Sequence, residues 1–235
     1  MKTYDIVYFV KECEENPELT YSLRSLKNFP HGKVWFYGGC PKNLKPDVHV
    51  HERQISLTKY SNVSNMLQDA CRNKEISDSF WLFNDDFFVL QPITPQYMAK
   101  LEKGFHNGTL MDQIKRCEKV TDGINGYTRK LRRTLEWLEE NYYSSRNYEM
   151  HIPMLIDRKK MTKLFEGTSH CSRSKYGNVY LNENVNQRDV KIFSLNHEPK
   201  RLNNFVSTCD ETFKNGKIGE IIREQFKEKS EYEIL

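Results

Sequence analysis

The sequence has no long hydrophobic run, and its longest unbroken apolar stretch is the five-residue segment Ile6–Val10. A transmembrane helix needs about 20 consecutive apolar residues, so the sequence predicts neither a membrane-spanning segment nor a membrane partner. The first 16 residues also lack the apolar core of roughly 7–15 residues that a signal peptide requires, because Asp5 interrupts them and acidic residues follow. We therefore expect a cytoplasmic protein.

Paired metal-binding cysteines and a strong charge of one sign are also missing. The six cysteines are scattered, with no Cys-x-x-Cys pair, so free thiols in a reducing compartment are expected and a zinc site is not. The 36 basic and 32 acidic residues give a net charge of +4, weaker than the clustered excess of a dedicated nucleic-acid binder. Gly38-Gly39 is not followed by Gly-x-Gly-x-x-Gly, which argues against a dinucleotide-binding fingerprint.

What is present is an alternation of strand and helix patterns over residues 4–83. Short runs of β-branched and aromatic residues predict buried strands, and amphipathic segments between them predict helices. The order strand–helix–strand–strand–helix–strand is typical of an α/β fold with a mostly parallel sheet. The strands are expected at 4–10, 33–37, 48–51 and 80–83, and the helices near 16–26 and 61–72.

The second half of the chain is less regular. A polar helix is expected at 126–141, and its basic run Arg129–Arg133 is interpreted either as a solvated face or as a contact for phosphate or an acceptor. Because no internal repeat or low-complexity linker divides the chain, a single domain over 1–235 is the economical interpretation. The other elements expected are helices at 96–103, 161–165 and 218–229, a polar loop at 178–189 and a strand at 190–195.

Two adjacent carboxylates, Asp85 and Asp86, follow the predicted strand at 80–83 and have aromatic residues on both sides. In α/β sheets, ligands bind at the carboxyl ends of the strands. Burying two carboxylates is costly unless a cation compensates them, and Mn²⁺ or Mg²⁺ does so through carboxylate oxygens. Such an ion would bridge a diphosphate and neutralise a leaving nucleoside diphosphate. The alternative is a capped turn with both carboxylates facing water.

This strand followed by an acidic pair resembles the A-type nucleotide-sugar glycosyltransferase fold, a Rossmann-like mixed sheet flanked by helices. Residues 150–161 (MHIPMLIDRKKM) resemble the His-x-Pro-x-Leu-Ile-Asp-Arg segment of Stealth-type sugar-phosphate transferases, and residues 168–174 resemble a second stretch of that group. The sequence is also similar to small glycosyltransferase-like proteins of phages and prophages. The resemblance implies a nucleotide-sugar-binding half at 1–95 and an acceptor and catalytic half at 96–235, in a bacterial or phage-infected cell.

The resemblance also implies donor and metal contacts. An acidic motif in this fold holds the metal and the donor diphosphate, and a late histidine completes the metal shell in several families. Polar residues that open the second helix contact the base and ribose there; alternatively, Ser61 or Asn62 caps that helix. The implied donor contacts are Lys59, Asn62, Asn65, Asp85, Arg173 and Lys200, and the implied metal ligands are Asp85, Asp86 and His197.

Transfer to a hydroxyl acceptor needs a group that takes the acceptor's proton. Asp189 is the preferred base, because it stands in the second half next to a predicted strand, and Asp157 and Asp210 are further candidates. His151 precedes Ile152-Pro153, where the proline forces extended backbone. We interpret His151 as a general base, a metal ligand or a phosphate contact, or else as a structural histidine.

The sequence therefore supports three functional hypotheses. The first is a metal-dependent glycosyltransferase that moves a sugar from a nucleotide-diphosphate sugar to a hydroxyl of a glycan, a protein or a modified phage DNA base. The second is a Stealth-like sugar-phosphate transferase that releases nucleoside monophosphate. The third is a module that binds a nucleotide sugar or nucleic acid without turnover. An enzyme is preferred, because the acidic pair is present.

Overall fold

The structure is a computed structural model that describes residues 3–56, 58–121, 125–165, 170–181, 185–197 and 204–234. Its strands are β1 (Asp5–Val10), β2 (Val34–Gly38), β3 (Val48–Val50), β4 (Ser79–Phe83), β5 (Phe87–Val89), β6 (Phe105–His106), β7 (Met154–Asp157), β8 (Val185–Asn186) and β9 (Phe205–Ser207). Its helices are α1 (Pro17–Ser25), α2 (Lys59–Arg72), α3 (Pro95–Lys103), α4 (Leu110–Thr121), α5 (Gly126–Glu140), α6 (Arg158–Thr162), α7 (Ser172–Tyr180), α8 (Asp210–Asn215) and α9 (Lys217–Gln225).

A five-stranded sheet in the order β3-β2-β1-β4-β7 forms the centre of the molecule. Strands β1 to β4 are parallel, with Ile6 opposite both Val34 and Trp81, whereas β7 runs antiparallel to β4. This arrangement confirms the expected mixed α/β fold. Because β7 comes from the second half of the chain, the sheet draws on both halves, and their separate donor and acceptor roles stay a prediction.

Helices cover both faces of this sheet. On β1, alternation of side chains sends Ile6 and Tyr8 to one face and Val7 to the other. The first face packs against Leu19 and Leu23 of α1, and the second packs against α2. Burial on both faces explains why the parallel strands are almost continuously apolar, which is the pattern that revealed them in the sequence.

Helix α2 begins two residues earlier than predicted, at Lys59. Its cap is Thr58, whose side chain accepts from the backbone N–H of Ser61 at 3.2 Å, so neither Ser61 nor Asn62 is the cap. In the second half, helix α6 begins before the predicted 161–165 segment, and the predicted loop at 178–189 contains the end of α7 and strand β8. Helix α4 was not predicted.

The predicted strand at 190–195 is wrong. Only Lys191 forms a bridge, with Ser207 of β9, and the chain after Ile192 leaves that partner. Phe193 and Leu195 are 74% and 40% exposed, so these apolar side chains lack a layer to pack against. A run of strand-forming residues is insufficient here, because a strand also needs a partner along its length.

The basic run on α5 lies mainly on a solvated face. Arg129, Arg132 and Arg133 are exposed, and Arg132 pairs with Glu118 of α4. Lys130 instead points inward and donates to Ser64 Oγ of α2 at 3.3 Å. Over the described ranges, the helices are all too short or too polar to cross a lipid bilayer.

Candidate functional site

The site begins where the two central strands end. The chain leaves β1 toward β2, whereas β4 lies on the other side of β1, so the crevice between β1 and β4 is a topological switch point. Asn16 follows β1 and Asp85 follows β4, and Asn16 Nδ2 donates to Asp85 Oδ2 at 2.8 Å. The Oδ1 atom of Asn16 accepts from the Leu19 backbone N–H at 3.0 Å, so one side chain both caps α1 and holds Asp85.

Asp86 is held by a lysine that the sequence did not single out. Its Oδ2 atom accepts hydrogen bonds from Lys191 Nζ and from Ser207 Oγ, the latter at 3.1 Å. The side chains of Asp86 and Lys191 are 14% and 11% exposed. The other carboxylate oxygen, Oδ1, is buried and has no hydrogen-bond partner in the described part of the chain. One oxygen of Asp86 is therefore fixed, and the other is a buried acceptor without a partner among the described residues.

Several carboxylates lie close together at this end of the sheet. Burial raises the pKa of Asp85 above its usual value, more than its hydrogen bond from Asn16 lowers it, and the charge of Asp86 adds to the increase. Burial also raises the pKa of Glu18 to about 7; the hydrogen bond from Thr208 Oγ1 lowers it, and Asp210, Asp86 and Asp85 add to the increase. This end of the sheet has an excess of negative charge that a cation would relieve.

We expect the Glu18→Gln substitution to weaken the pH dependence of folding stability. Because the folded-state pKa of Glu18 lies near 7, the folded protein keeps a proton that the unfolded chain releases above the ordinary glutamate pKa of about 4.3. The contribution of Glu18 to wild-type stability should therefore be greatest below that value and fall as the pH rises toward 7. Urea unfolding at pH 5 and pH 8 should show a smaller decline for the variant.

The matched control for this prediction is Glu220→Gln, at an exposed position of α9. It should leave the decline between pH 5 and pH 8 as it is in the wild type. An equal decline in Glu18→Gln and the wild type would contradict the assignment of a raised pKa to Glu18.

The structure brings the two predicted catalytic residues together. His151 donates through its backbone N–H to Asp189 Oδ1 at 3.0 Å, and its Nδ1 atom lies 2.8 Å from Asp189 Oδ2. Burial alone would raise the pKa of Asp189, but its contacts with His151 and the Val190 backbone N–H lower the pKa below its usual value. Asp189 is thus an ionised acceptor that fixes the imidazole through Nδ1, and the catalytic role of both residues stays a prediction.

Arg173 connects the end of β4 to the segment that carries His151. Its Nη1 atom donates to the carbonyls of Ile152 and Met150 at 2.8 and 3.2 Å, and its Nη2 atom donates to Asn84 Oδ1 at 3.3 Å. Burial lowers the pKa of Arg173, and nearby carboxylates counteract part of that decrease. These contacts hold two parts of the site together through Arg173. The contact between Arg173 and the donor stays a prediction.

The pair of Asp189 and Lys191 joins the histidine to the acidic pair. These two residues are separated by one position on extended chain, so their side chains project to the same side. Asp189 contacts His151, and Lys191 contacts Asp86. Beside them is a cavity of about 170 Å³ that Arg188 and His197 also line. Contacts through Asp189 and Lys191 therefore connect the residues of two separate motifs.

In the part of the chain that the structure describes, no group of three or more His, Cys, Asp and Glu side chains is placed to hold a metal ion. His197 lines the cavity and is exposed. Its predicted role as a metal ligand therefore stays a prediction, and a metal held by this chain would depend first on Asp85 and Asp86.

The predicted donor contacts at the start of α2 have structural partners. Asn62 Oδ1 accepts from the Ser56 backbone N–H at 3.0 Å, and Asn65 Nδ2 lies 3.5 Å from Ser56 Oγ, so both amides hold the preceding loop. Lys59 is exposed, with its ammonium 5.3 Å from the centre of the Tyr60 ring. Their donor roles stay predictions. Lys200, Thr168 and Ser169 lie outside the described residues.

No protein-family model matches the chain, and no curated protein matches it either. Among solved structures, the chain is similar to glycosyltransferase GlyE of Streptococcus pneumoniae TIGR4 in its apo form, with a TM-score of 0.42 and 10% identity over 95% of this chain and 60% of that chain. A second GlyE structure has a TM-score of 0.40 and 9% identity, and the match covers 80% of this chain and 45% of that chain. The galactosyltransferase LgtC in complex with donor and acceptor sugar analogues has a TM-score of 0.35 and 14% identity. That match covers 76% of this chain and 66% of that chain. The chain thus spans less than two thirds of each.

Proposed function

We propose that this protein is a glycosyltransferase that moves a sugar from a nucleotide-diphosphate sugar to a hydroxyl acceptor at the carboxyl edge of its sheet. The observation that carries the proposal is the Asp189/Lys191 pair, which contacts His151 with one side chain and Asp86 with the other. Such a transfer needs a general base and, for a diphosphate donor, an acidic group that would hold a cation; here Asp189 and Lys191 connect the two.

In this proposal His151 is the base. Its Nδ1 atom is held by Asp189, so Nε2 takes the proton of the acceptor hydroxyl as that oxygen attacks the anomeric carbon. The ionised Asp189 orients the ring and stabilises the imidazolium that forms. Asp189, the base preferred from sequence, therefore acts as a positioning residue, because its oxygens are already engaged by His151 and the Val190 backbone.

A divalent cation fits the acidic pair. Mg²⁺ binds through one or two carboxylates when substrate phosphates and waters supply the other ligands, and Asp86 Oδ1 is a buried oxygen without a partner among the described residues. Asp85, Asp86 and Lys191 together carry two negative charges and one positive charge, so a diphosphate would be repelled without a further cation. When bound, Mn²⁺ or Mg²⁺ would neutralise the leaving nucleoside diphosphate.

One contact favours sugar-phosphate transfer as a second candidate. Arg173 binds the carbonyls of Met150 and Ile152, so the two segments that resemble Stealth-type proteins contact each other. Both candidates use the same site in a cytoplasmic protein. In either case the proposed acceptor is a glycan, a protein or a modified DNA base. The products distinguish them, because glycosyl transfer releases nucleoside diphosphate and sugar-phosphate transfer releases nucleoside monophosphate.

The direct experiment incubates the protein with a panel of nucleotide sugars, with and without Mn²⁺, and identifies the released nucleotide. Release of nucleoside diphosphate that depends on Mn²⁺ is the expected result. Metal-independent binding of nucleotide sugars without release of any nucleotide would instead identify a binding module and refute the enzyme.

His151→Ala is expected to lower turnover by about 10²–10⁴-fold, because general-base catalysis contributes that much. Donor affinity, measured by calorimetry, should stay within a few-fold of wild type, since Nε2 acts on the acceptor. His51→Ala, at an exposed loop position, is the matched control and should keep wild-type turnover. Full turnover by His151→Ala would remove His151 from the mechanism.

A further inference from the structure

Lys191 places a fixed positive charge beside the proposed cation-binding carboxylate. Its ammonium donates to Asp86 Oδ2 and to the backbone carbonyl of Thr208, and its side chain is 11% exposed. Ser207 Oγ shares the same carboxylate oxygen, whereas Oδ1 has no partner in the described chain. One oxygen of Asp86 is thus bound by an internal cation, and the other is a buried acceptor without a described partner.

Such a lysine has two opposed effects on a divalent ion at Oδ1. It orients the carboxylate, and groups that orient metal ligands typically improve metal affinity by about 10–100-fold. It also withdraws negative charge from the carboxylate and repels the ion across it. Because both side chains are mostly shielded from water, the effective dielectric constant is low and this repulsion is the larger effect. Ser207 can orient Asp86 without any charge, so orientation does not depend on Lys191 alone.

We propose that Lys191 is an internal competitor that keeps the affinity for a free divalent cation low, so that the cation and a nucleoside diphosphate bind together. This inference depends on the proposed function, because it concerns the same site. The diphosphate brings negative charge that offsets the ammonium, so each ligand improves the binding of the other by the same factor. The site would then bind the loaded donor in preference to the bare ion.

The test measures Mn²⁺ binding without nucleotide, by the electron paramagnetic resonance signal of the free ion. Lys191→Met should bind Mn²⁺ at least tenfold more tightly than wild type. Lys191→Arg keeps the charge and should bind as weakly as wild type. Lys74→Met, which removes an exposed charge after α2, should change the affinity less than twofold. Addition of uridine diphosphate should tighten Mn²⁺ binding more in wild type than in Lys191→Met.

Two results would overturn the proposal. If Lys191→Met binds Mn²⁺ no more tightly than wild type, Lys191 only orients Asp86; equal tightening in Lys191→Arg would show that charge is not the cause. Ser207→Ala keeps the ammonium and should not tighten binding, and circular dichroism checks that each variant is folded. Tighter Mn²⁺ binding by Lys191→Met supports the competitor role even if the nucleotide-sugar panel gives no product, so the two proposals fail separately.

Discussion

Replacing Asp86 with Asn should reduce the release of nucleotide from a nucleotide sugar by about 100-fold or more in the presence of Mn²⁺. The reason is that the proposal places the cation at Oδ1 of Asp86, a buried oxygen without a described partner, and an amide in its place carries no charge to hold the ion. Loss of one preorganised electrostatic group commonly lowers kcat by about 10²–10³-fold. Asp86→Asn should also weaken Mn²⁺ binding, and added Mn²⁺ should raise the activity of the wild type more than that of the variant.

Asp86→Asn is preferable to Asp86→Ala, because its amide oxygen can still accept from Lys191 and Ser207 and the buried lysine is not left alone. Removing one partner of a buried ion pair outright costs about 3–5 kcal/mol, which would confuse activity with unfolding. Asp69→Asn, at an exposed position of α2, is the matched control and should retain full turnover. Unchanged turnover by Asp86→Asn at saturating Mn²⁺ would eliminate the cation assignment.

Arg173→Met should destabilise the folded protein by about 3–5 kcal/mol and abolish turnover together with it. The Arg173 guanidinium donates to carbonyls on two segments, and each acceptor left unpaired inside the protein costs about 1–3 kcal/mol. Arg173→Lys keeps the charge but cannot span both segments, since an ammonium lacks the planar fork, so it should recover only part of the stability.

Urea unfolding measures this effect. Arg129→Met, on the exposed face of α5, is the matched control and should change the free energy of unfolding by less than about 0.5 kcal/mol. If Arg173→Met unfolds like the control, these three contacts of Arg173 do not stabilise the site. If it is stable yet inactive, Arg173 instead contacts the substrate, as the sequence resemblance implies.

Local patterns in the sequence were enough to predict the four parallel strands of the central sheet, but not the antiparallel strand β7. Buried strands such as β1 and β4 are nearly continuous apolar runs, because both faces of a parallel sheet are covered. The position of Asp85 and Asp86 after β4 follows from the same pattern together with the rule that ligands bind at the carboxyl ends of strands. His151 and Asp189 were also selected, from a motif and from a chemical requirement, but without any sign that they contact each other.

The tertiary structure alone decided how these residues are connected. Lys191 reaches Asp86 across 105 positions of the chain, and His151 reaches Asp189 across 38. The side to which Lys191 points depends on one bridge to β9, in a segment whose composition predicted a longer strand. The sequence by itself determined the four parallel strands and where the acidic pair lies, because hydrophobic periodicity is local. Only the tertiary structure could pair the charges, because that pairing depends on contacts between segments far apart in the chain.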